Sequence, residues 1–205
     1  MRPDRRNLTL AGGFGPVAYE TLKLCRADAT DHDAIVRLID AAAQWLRLTK
    51  DTDQWARPWR SEEDRSNRIL RDLTAGKTWL LRDDGVAVGT ITADPQDYPV
   101  PIWPAERHRE PAVYARRLVV SRDYGGRGLG SALLDWAGLT ARRGYGAQWI
   151  RVDVWSTNQK LHAYYERQGF TSCGMSSDLD YPSRALFQKP TAHIGASRVP
   201  LFHQA

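Results

Sequence analysis

The stretch Leu118-Val119-Val120-Ser121-Arg122-Asp123-Tyr124-Gly125-Gly126-Arg127-Gly128-Leu129-Gly130-Ser131 carries the densest chemical signal in this sequence. An apolar β-branched run enters it, and Leu129, Ala132, Leu133, Trp136 and Leu139 leave it at helical spacing, so it reads as strand, turn and helix start. Glycines let a backbone approach a ligand closely and take positive φ. The first amides of the following helix have no internal acceptors, and its positive dipole end points to the same place. Together they make an anion site suited to a pyrophosphate. A turn that merely joined a strand to a helix would need one glycine, whereas residues 125, 126, 128 and 130 are all glycine.

Three phosphate-binding patterns compete for this turn. A P-loop ends in Gly-Lys-Ser/Thr, which is missing here. The dinucleotide fingerprint, counted from Gly126 and Gly128, needs its third glycine where Ser131 stands. Asp153 lies at the distance of a ribose-binding acid, yet Val154 and Trp155 continue its strand and no second βαβ pair follows. The third pattern fits. The sequence resembles the GNAT superfamily of N-acetyltransferases, whose acetyl-CoA motif is Arg/Gln-x-x-Gly-x-Gly/Ala after a strand. Its last two positions match Gly128 and Gly130, while Gly125 replaces the Arg or Gln.

A second segment supports the same resemblance. Val152-Asp153-Val154-Trp155-Ser156-Thr157-Asn158, followed by Leu161 and then Tyr164-Tyr165-Glu166-Arg167-Gln168-Gly169-Phe170, is similar to the family's strand, asparagine and Tyr-Glu-x-x-Gly-Phe segment. The two motifs span residues 113–171, whereas residues 17–92 match the family in element order. The resemblance implies a single α/β domain with a mixed central sheet flanked by helices and a splayed-strand cleft for acetyl-CoA as co-substrate. It implies cofactor contacts at Leu118, Val119, Val120, Gly125, Gly126, Arg127, Gly128, Leu129, Gly130, Ser131, Asn158 and Tyr165. The pantetheine arm would pair with the backbone of Leu118 and Val120, and a free N–H there, of Val120 by preference, would polarise the thioester. With Gly125 at the first motif position, backbone amides of residues 126–131 carry the grip, and Arg122 or Arg127 is left to act as a side-chain brace.

Tyr165 matches the family tyrosine that protonates the departing thiolate, a step open to a phenol in a dry site. Tyr164 lies off the family position. Asn158 is equally a helix N-cap. For a base, Asp94, Glu106, His108, Glu110 and Asp153 are the candidates, beside a water relay. Asp94 is preferred because it ends a strand beside the expected cleft. Trp55, Trp59, Tyr98 and Trp103 fall in irregular segments and are expected to wall the acceptor pocket, while Trp45, at helical spacing, is expected in the core. Asp51, Asp53, Asp94 and Asp97 nearby make a cationic acceptor conceivable.

The elements that must position these groups follow from periodicity and punctuation. Residues 17–25 read as a strand, and Thr30 as the cap of a helix carrying Ile35, Leu38, Ile39, Ala42 and Leu46. Ser61 with Asp64 caps a second helix that ends near Gly76. Residues 78–82 and 86–92 flank Asp83-Asp84-Gly85 as a hairpin. Pro95, Pro99, Pro101, Pro104 and Pro111 make residues 93–111 a long loop. Strands at 113–120 and 149–155, a helix at 158–168, a strand opening at Phe170 and a closing strand at 184–188 complete one domain over residues 17–189. Residues 1–16 read as an N-terminal arm and 190–205 as a tail.

Composition bounds the alternatives. A chain of 205 residues with 42% hydrophobic content holds one sizeable core. The net charge of +5 is dispersed over mixed-sign surface, and no helix-turn-helix or RNA-binding signature accompanies it, so no nucleic-acid partner is expected. No apolar run is long enough to span a membrane. Cys25 and Cys173 stand far apart without metal-ligand spacing, which suits a reducing cytoplasm. The expected activity is acetyl transfer to a primary amine of a small molecule. A protein amine as acceptor, or a catalytically silent acetyl-CoA-binding regulatory module, are the alternatives. Because members of the resembled family are often dimers, a homodimer is a further expectation.

Overall fold

A computed structural model describes residues 21–50, 52–55, 61–96, 102–195 and 203–204. The arm, Trp59, Tyr98, Asp51, Asp97 and half of the tail lie outside the described residues. The described chain runs β1 (Leu22–Arg26), α1 (His32–Thr49), α2 (Glu62–Thr74), β2 (Thr78–Asp83), β3 (Val86–Asp94), β4 (Ala112–Val120), α3 (Leu129–Tyr145), β5 (Trp149–Val154), α4 (Gln159–Arg167), β6 (Thr171–Met175), β7 (Ala185–Pro190) and β8 (His203–Gln204). They form one sheet in the order β6-β7-β5-β4-β3-β2-β1-β8.

Local chemistry accounts for most of the boundaries. Ser61 caps α2 by accepting the Asp64 amide at 3.0 Å. The cap before α1 is Asp28 rather than the expected Thr30. Its carboxylate accepts from the Thr30 amide at 2.8 Å and closes a capping box with Asp31 around the 3₁₀ turn Ala29–Asp31. The hairpin between β2 and β3 turns on Asp84 and Gly85, both at positive φ (46° and 84°), as a type I′ turn requires. The strand expected to close the sheet is internal instead. β7 lies between β5 and β6 and pairs antiparallel with both. The short β8 pairs parallel with β1, inside the segment read as tail.

Helices cover both faces. On one, α3 and α4 pack over Val113, Ala115, Ile150, Val152, Val154 and Phe187, and Trp136 sets its ring edge-on to Trp79 at 4.8 Å. On the other, α1 buries Ile35, Leu38 and Ile39, and α2 buries Ile69 and Leu73, against Leu80 and Val119. A smaller cluster of Ile102, Trp103, Ala112, Tyr114 and Leu186 seats the end of the proline loop. Fully buried Arg151 pins that loop, donating to Glu110 Oε2 at 2.6 Å and to the Arg107 carbonyl at 2.7 Å.

The sheet is interrupted at its centre. β4 and β5 run parallel but pair only from Ala112↔Trp149 to Tyr114↔Arg151. Beyond that point each follows its outer neighbour: β5 stays paired with β7 as far as Val154↔Ala185, and β4 with β3 as far as Val120↔Gly89. The β3–β4 register shifts between Thr90 and Thr92, which pair with Val119 and Arg116, so β4 bulges opposite Ile91. Arg117 in the bulge takes φ 46°, and its guanidinium is fastened to Asp72 of α2 and to the Arg68 carbonyl. The bulge turns β4 away from β5 and opens a V between them.

Candidate active site

The V is bounded at one side by the glycine turn. Gly126 and Gly128 take φ 77° and 76°, a left-handed conformation that favours glycine. Gly128 is the N-cap of α3 and offers no side chain to its amides, so those of Leu129, Gly130 and Ser131 face outward without an intrahelical acceptor. The turn is exposed, and it lines a cavity of about 390 Å³ shared with Leu118, Val120, Leu161, Tyr164 and Tyr165. At Gly125 a Cβ would stand 3.0 Å from the Arg122 carbonyl, so a side chain there would push the turn open. The Arg122 guanidinium lies beside that same point, with Nη2 3.4 Å from it, and stacks 3.6 Å from the centre of the Trp45 ring. Arg127 lies over the Tyr124 ring instead. Trp45 is therefore only half-buried and faces the cleft, not the core as its helical spacing suggested.

The open edge of β4 supplies backbone groups. Ser121 donates its N–H to Val88 of β3, and strand alternation then turns the amide and carbonyl of Val120, and of Leu118, toward the gap. Leu118, Val119 and Val120 line the channel along the V, the Val119 side chain being buried under α1. Asn158 caps α4, accepting the Leu161 amide at 3.1 Å, and donates to Gln54 Oε1 at 2.6 Å. Asp53 accepts from Trp155 Nε1 at 2.8 Å and from Thr157 Oγ1 at 2.5 Å. These bonds hold the Asp53 carboxyl below its ordinary range, the Thr157 hydroxyl first and the Trp155 indole second. Residues 52–55 thus form a strap across the V from the end of α1 to the end of β5. Trp55, at φ 63°, lies on that strap and lines both the channel and the chamber beyond it.

That chamber encloses about 170 Å³ between Trp55, Trp155, Tyr181, Asp153 and Tyr165, with Arg68, Arg116 and Arg117 at its wall. Tyr165 lines both the chamber and the glycine cavity. Burial pushes its phenol well above the ordinary value, with smaller contributions from Tyr164 and Asp153, so it stays protonated. Asp153, the base candidate on β5, accepts a hydrogen bond from the Tyr181 hydroxyl, 2.5 Å between the oxygens.

Asp94 is not brought to Tyr165. It is buried at the end of β3, bound by Arg116 Nη2 at 2.5 Å and Lys77 Nζ at 3.0 Å, and it lines a different cavity of about 570 Å³. A carboxylate gripped by two cations has its lone pairs committed. His108 and Glu110 share that second cavity, and Glu106 is exposed on the 3₁₀ turn Ala105–Arg109. Trp103 is also absent from the chamber: only 2% exposed, it is buried against Tyr114 under the Arg151 guanidinium. The acidic lining expected around the acceptor is likewise dispersed, since Asp53 serves the strap and Asp94 the ion pairs. Sequence reasoning missed the strap partners Asp53 and Gln54 and the Asp72–Arg117 anchor. A polar run between two helices and an acid inside an amphipathic helix carry no local signal of such contacts.

A bulged, splayed β4–β5 pair with a glycine-capped helix at its mouth defines an acyltransferase of the GNAT class. The Acetyltransferase (GNAT) family sequence model matches residues 37–170, and the chain belongs to that family. It is similar to the uncharacterized N-acetyltransferase YesJ of Bacillus subtilis, at 28% identity over 187 residues, covering 89% of this chain and 93% of that protein. Its fold matches a GNAT-family acetyltransferase of Listeria monocytogenes with a TM-score of 0.64 at 23% identity, covering 82% of this chain and 93% of that one. It also matches the PaiA N-acetyltransferase of Thermoplasma acidophilum, solved in complex with coenzyme A, with a TM-score of 0.61 at 14% identity, covering 82% and 98%. Among the described residues, no helix is long and apolar enough to cross a membrane.

Proposed function

We propose that this protein transfers an acetyl group from acetyl-CoA directly to a primary amine of a small molecule, both substrates being bound together. The observation that carries this reading is the position of Tyr165, which borders the glycine cavity on one side and a small chamber on the other. The co-substrate supplies the acetyl thioester. The amides of residues 126–131 hold its pyrophosphate, with Arg122 as the cation that Gly125 does not provide. Leu118 and Val120 pair with the pantetheine arm as an added strand would, and the Val120 N–H polarises the thioester carbonyl.

In the chamber Asp153 takes the place expected of Asp94. It accepts the proton of the incoming amine, directly or through one water, while nitrogen bonds to the acetyl carbon and the carbon–sulfur bond breaks. Tyr165 gives its proton to the departing thiolate. Holding both substrates in register contributes much of the rate. The chamber of about 170 Å³ receives the amine-bearing end of the acceptor beside Tyr165 and Asp153. A chamber open to solvent also suits the side-chain amine of a protein or peptide, which is the second reading. Two free cysteines fit a reducing, cytoplasmic location.

The test is a panel of amines with acetyl-CoA, read by release of free CoA thiol. Release with small amines supports this reading, and release with peptide lysines alone favours the second. Cofactor binding with no thiol release across the panel would make the protein a silent acetyl-CoA binder.

A further inference from the structure

Two adjacent tyrosines of α4 face different parts of the cleft. Tyr165 reaches the chamber, whereas Tyr164 lines the glycine cavity and the channel but not the chamber. The Tyr164 hydroxyl stands 3.2 Å from the place a Cβ on Gly130 would occupy, and among the described residues no other atom from beyond the glycine's own turn of helix lies within 4 Å of that point. Gly130 is the second residue of α3, with φ outside the left-handed region, so its backbone does not call for glycine. What a methyl group would meet is the phenol.

That hydroxyl has no hydrogen-bond partner among the described residues, and its residue is half-buried. Desolvation raises its pKa, with Asp135 adding to the effect, so the group is a neutral donor at physiological pH. The hydroxyl lies at the surface of the cavity, where a ligand can reach it, and half-buried tyrosine hydroxyls ordinarily find a partner. It lines the same cavity as Gly128 to Ser131, where the first amides of α3 are donors too. Two sets of donors across one gap call for an acceptor between them, and a phosphate oxygen is such a group.

We infer that Tyr164 is a cofactor-binding residue whose hydroxyl donates to a phosphate oxygen held at the start of α3, and that Gly130 is glycine to leave that hydroxyl in place. The inference rests on the acetyl-CoA reading of this site and adds a division of labour: Tyr165 serves the sulfur end and Tyr164 the phosphate end.

The experiment is equilibrium binding of acetyl-CoA and of S-acetylpantetheine, which lacks phosphate, to the wild type, Tyr164→Phe, Gly130→Ala and the double variant. Loss of a charge-assisted hydrogen bond predicts about tenfold weaker acetyl-CoA binding by Tyr164→Phe and a change below about twofold for S-acetylpantetheine. Gly130→Ala weakens acetyl-CoA binding in the wild type but adds little once the hydroxyl is gone. Should Tyr164→Phe fold poorly by its melting curve, Gly130→Ala carries the same two-ligand comparison. Equal losses for both ligands, additive effects in the double variant, or unchanged acetyl-CoA affinity in Tyr164→Phe would overturn the inference and leave the proposed function standing. A wild type that binds S-acetylpantetheine but gains nothing from the phosphates would overturn it as well. Failure of the wild type to bind acetyl-CoA at all would overturn both.

Discussion

Arg117, whose backbone takes φ 46° in the β4 bulge, binds the buried carboxylate of Asp72 on α2 through Nη1 and Nη2 at 2.7 and 2.5 Å. The pair fixes the kink that starts the splay, using a residue type that rarely adopts this conformation. Removing one partner leaves the other charge buried, which costs about 3–5 kcal/mol. Asp72→Ala is therefore expected to lower unfolding free energy by roughly that amount in denaturant titrations and to weaken acetyl-CoA binding. An unchanged midpoint would show that the bulge does not need this anchor.

Tyr165→Phe removes the proposed proton donor and little volume. Turnover should fall about 10²-fold, the range of a lost general acid, with a much smaller change in acetyl-CoA affinity. Steady-state kinetics beside equilibrium binding decide this. Undiminished turnover would place the acid elsewhere.

The pH dependence follows from burial of two tyrosines. The Tyr165 phenol is pushed above its ordinary value of 10.0, so kcat should show no falling limb from this group below about pH 10. Partial desolvation likewise pushes Tyr145, which is 46% exposed, up to about 12, with Asp94 and Tyr114 adding to the effect. A raised pKa in the folded state means that the unfolded chain releases its proton first. The stability concerned is complete below pH 10 and is lost as pH rises toward 12. Tyr145→Phe should flatten that decline in unfolding measurements between pH 9 and 12, and an equally steep decline in the variant would assign it to other groups.

Asp153→Asn and Asp94→Asn separate a base from a structural ion pair. Asp153→Asn should lower kcat/KM for the amine about 10²-fold at neutral pH in a normally folded protein. Asp94→Asn withdraws the carboxylate from buried Arg116 and from Lys77, so its expected signature is a stability loss of about 3 kcal/mol or more. A stable Asp94→Asn protein without turnover would reverse this assignment.

Gly128→Ala forces a side chain onto φ 76°, at a cost of about 1–2 kcal/mol. It also misdirects the first amides of α3. Acetyl-CoA binding, followed by quenching of tryptophan fluorescence, should weaken, and an unaltered affinity would mean that the turn does not grip the cofactor.

Much of this was legible in the sequence because it rests on local rules. The Asp84-Gly85 hairpin, the Ser61 cap and the turn into α3 each follow from residues a few positions apart. Where local signals failed, a distant partner was decisive. Trp45 has core spacing, yet Arg122, from the turn that follows β4, stacks on it at the cleft. Trp103 lies in an irregular segment, yet Tyr114 and Arg151 bury it. Asp94 ends its strand as expected, but Arg116 and Lys77 occupy it.

The sequence by itself determined the glycine turn, the helix it starts and the Tyr-Glu-x-x-Gly-Phe segment, since φ preferences, dipole direction and apolar period are properties of neighbouring residues. Tertiary structure alone decided how wide β4 and β5 part and which carboxylate stands in the chamber. Those depend on pairing energies shared among four strands, on the Arg117–Asp72 bond and on side chains contributed from remote parts of the chain. The pyrophosphate turn is thus written locally, while the acceptor chamber exists only once the sheet is assembled.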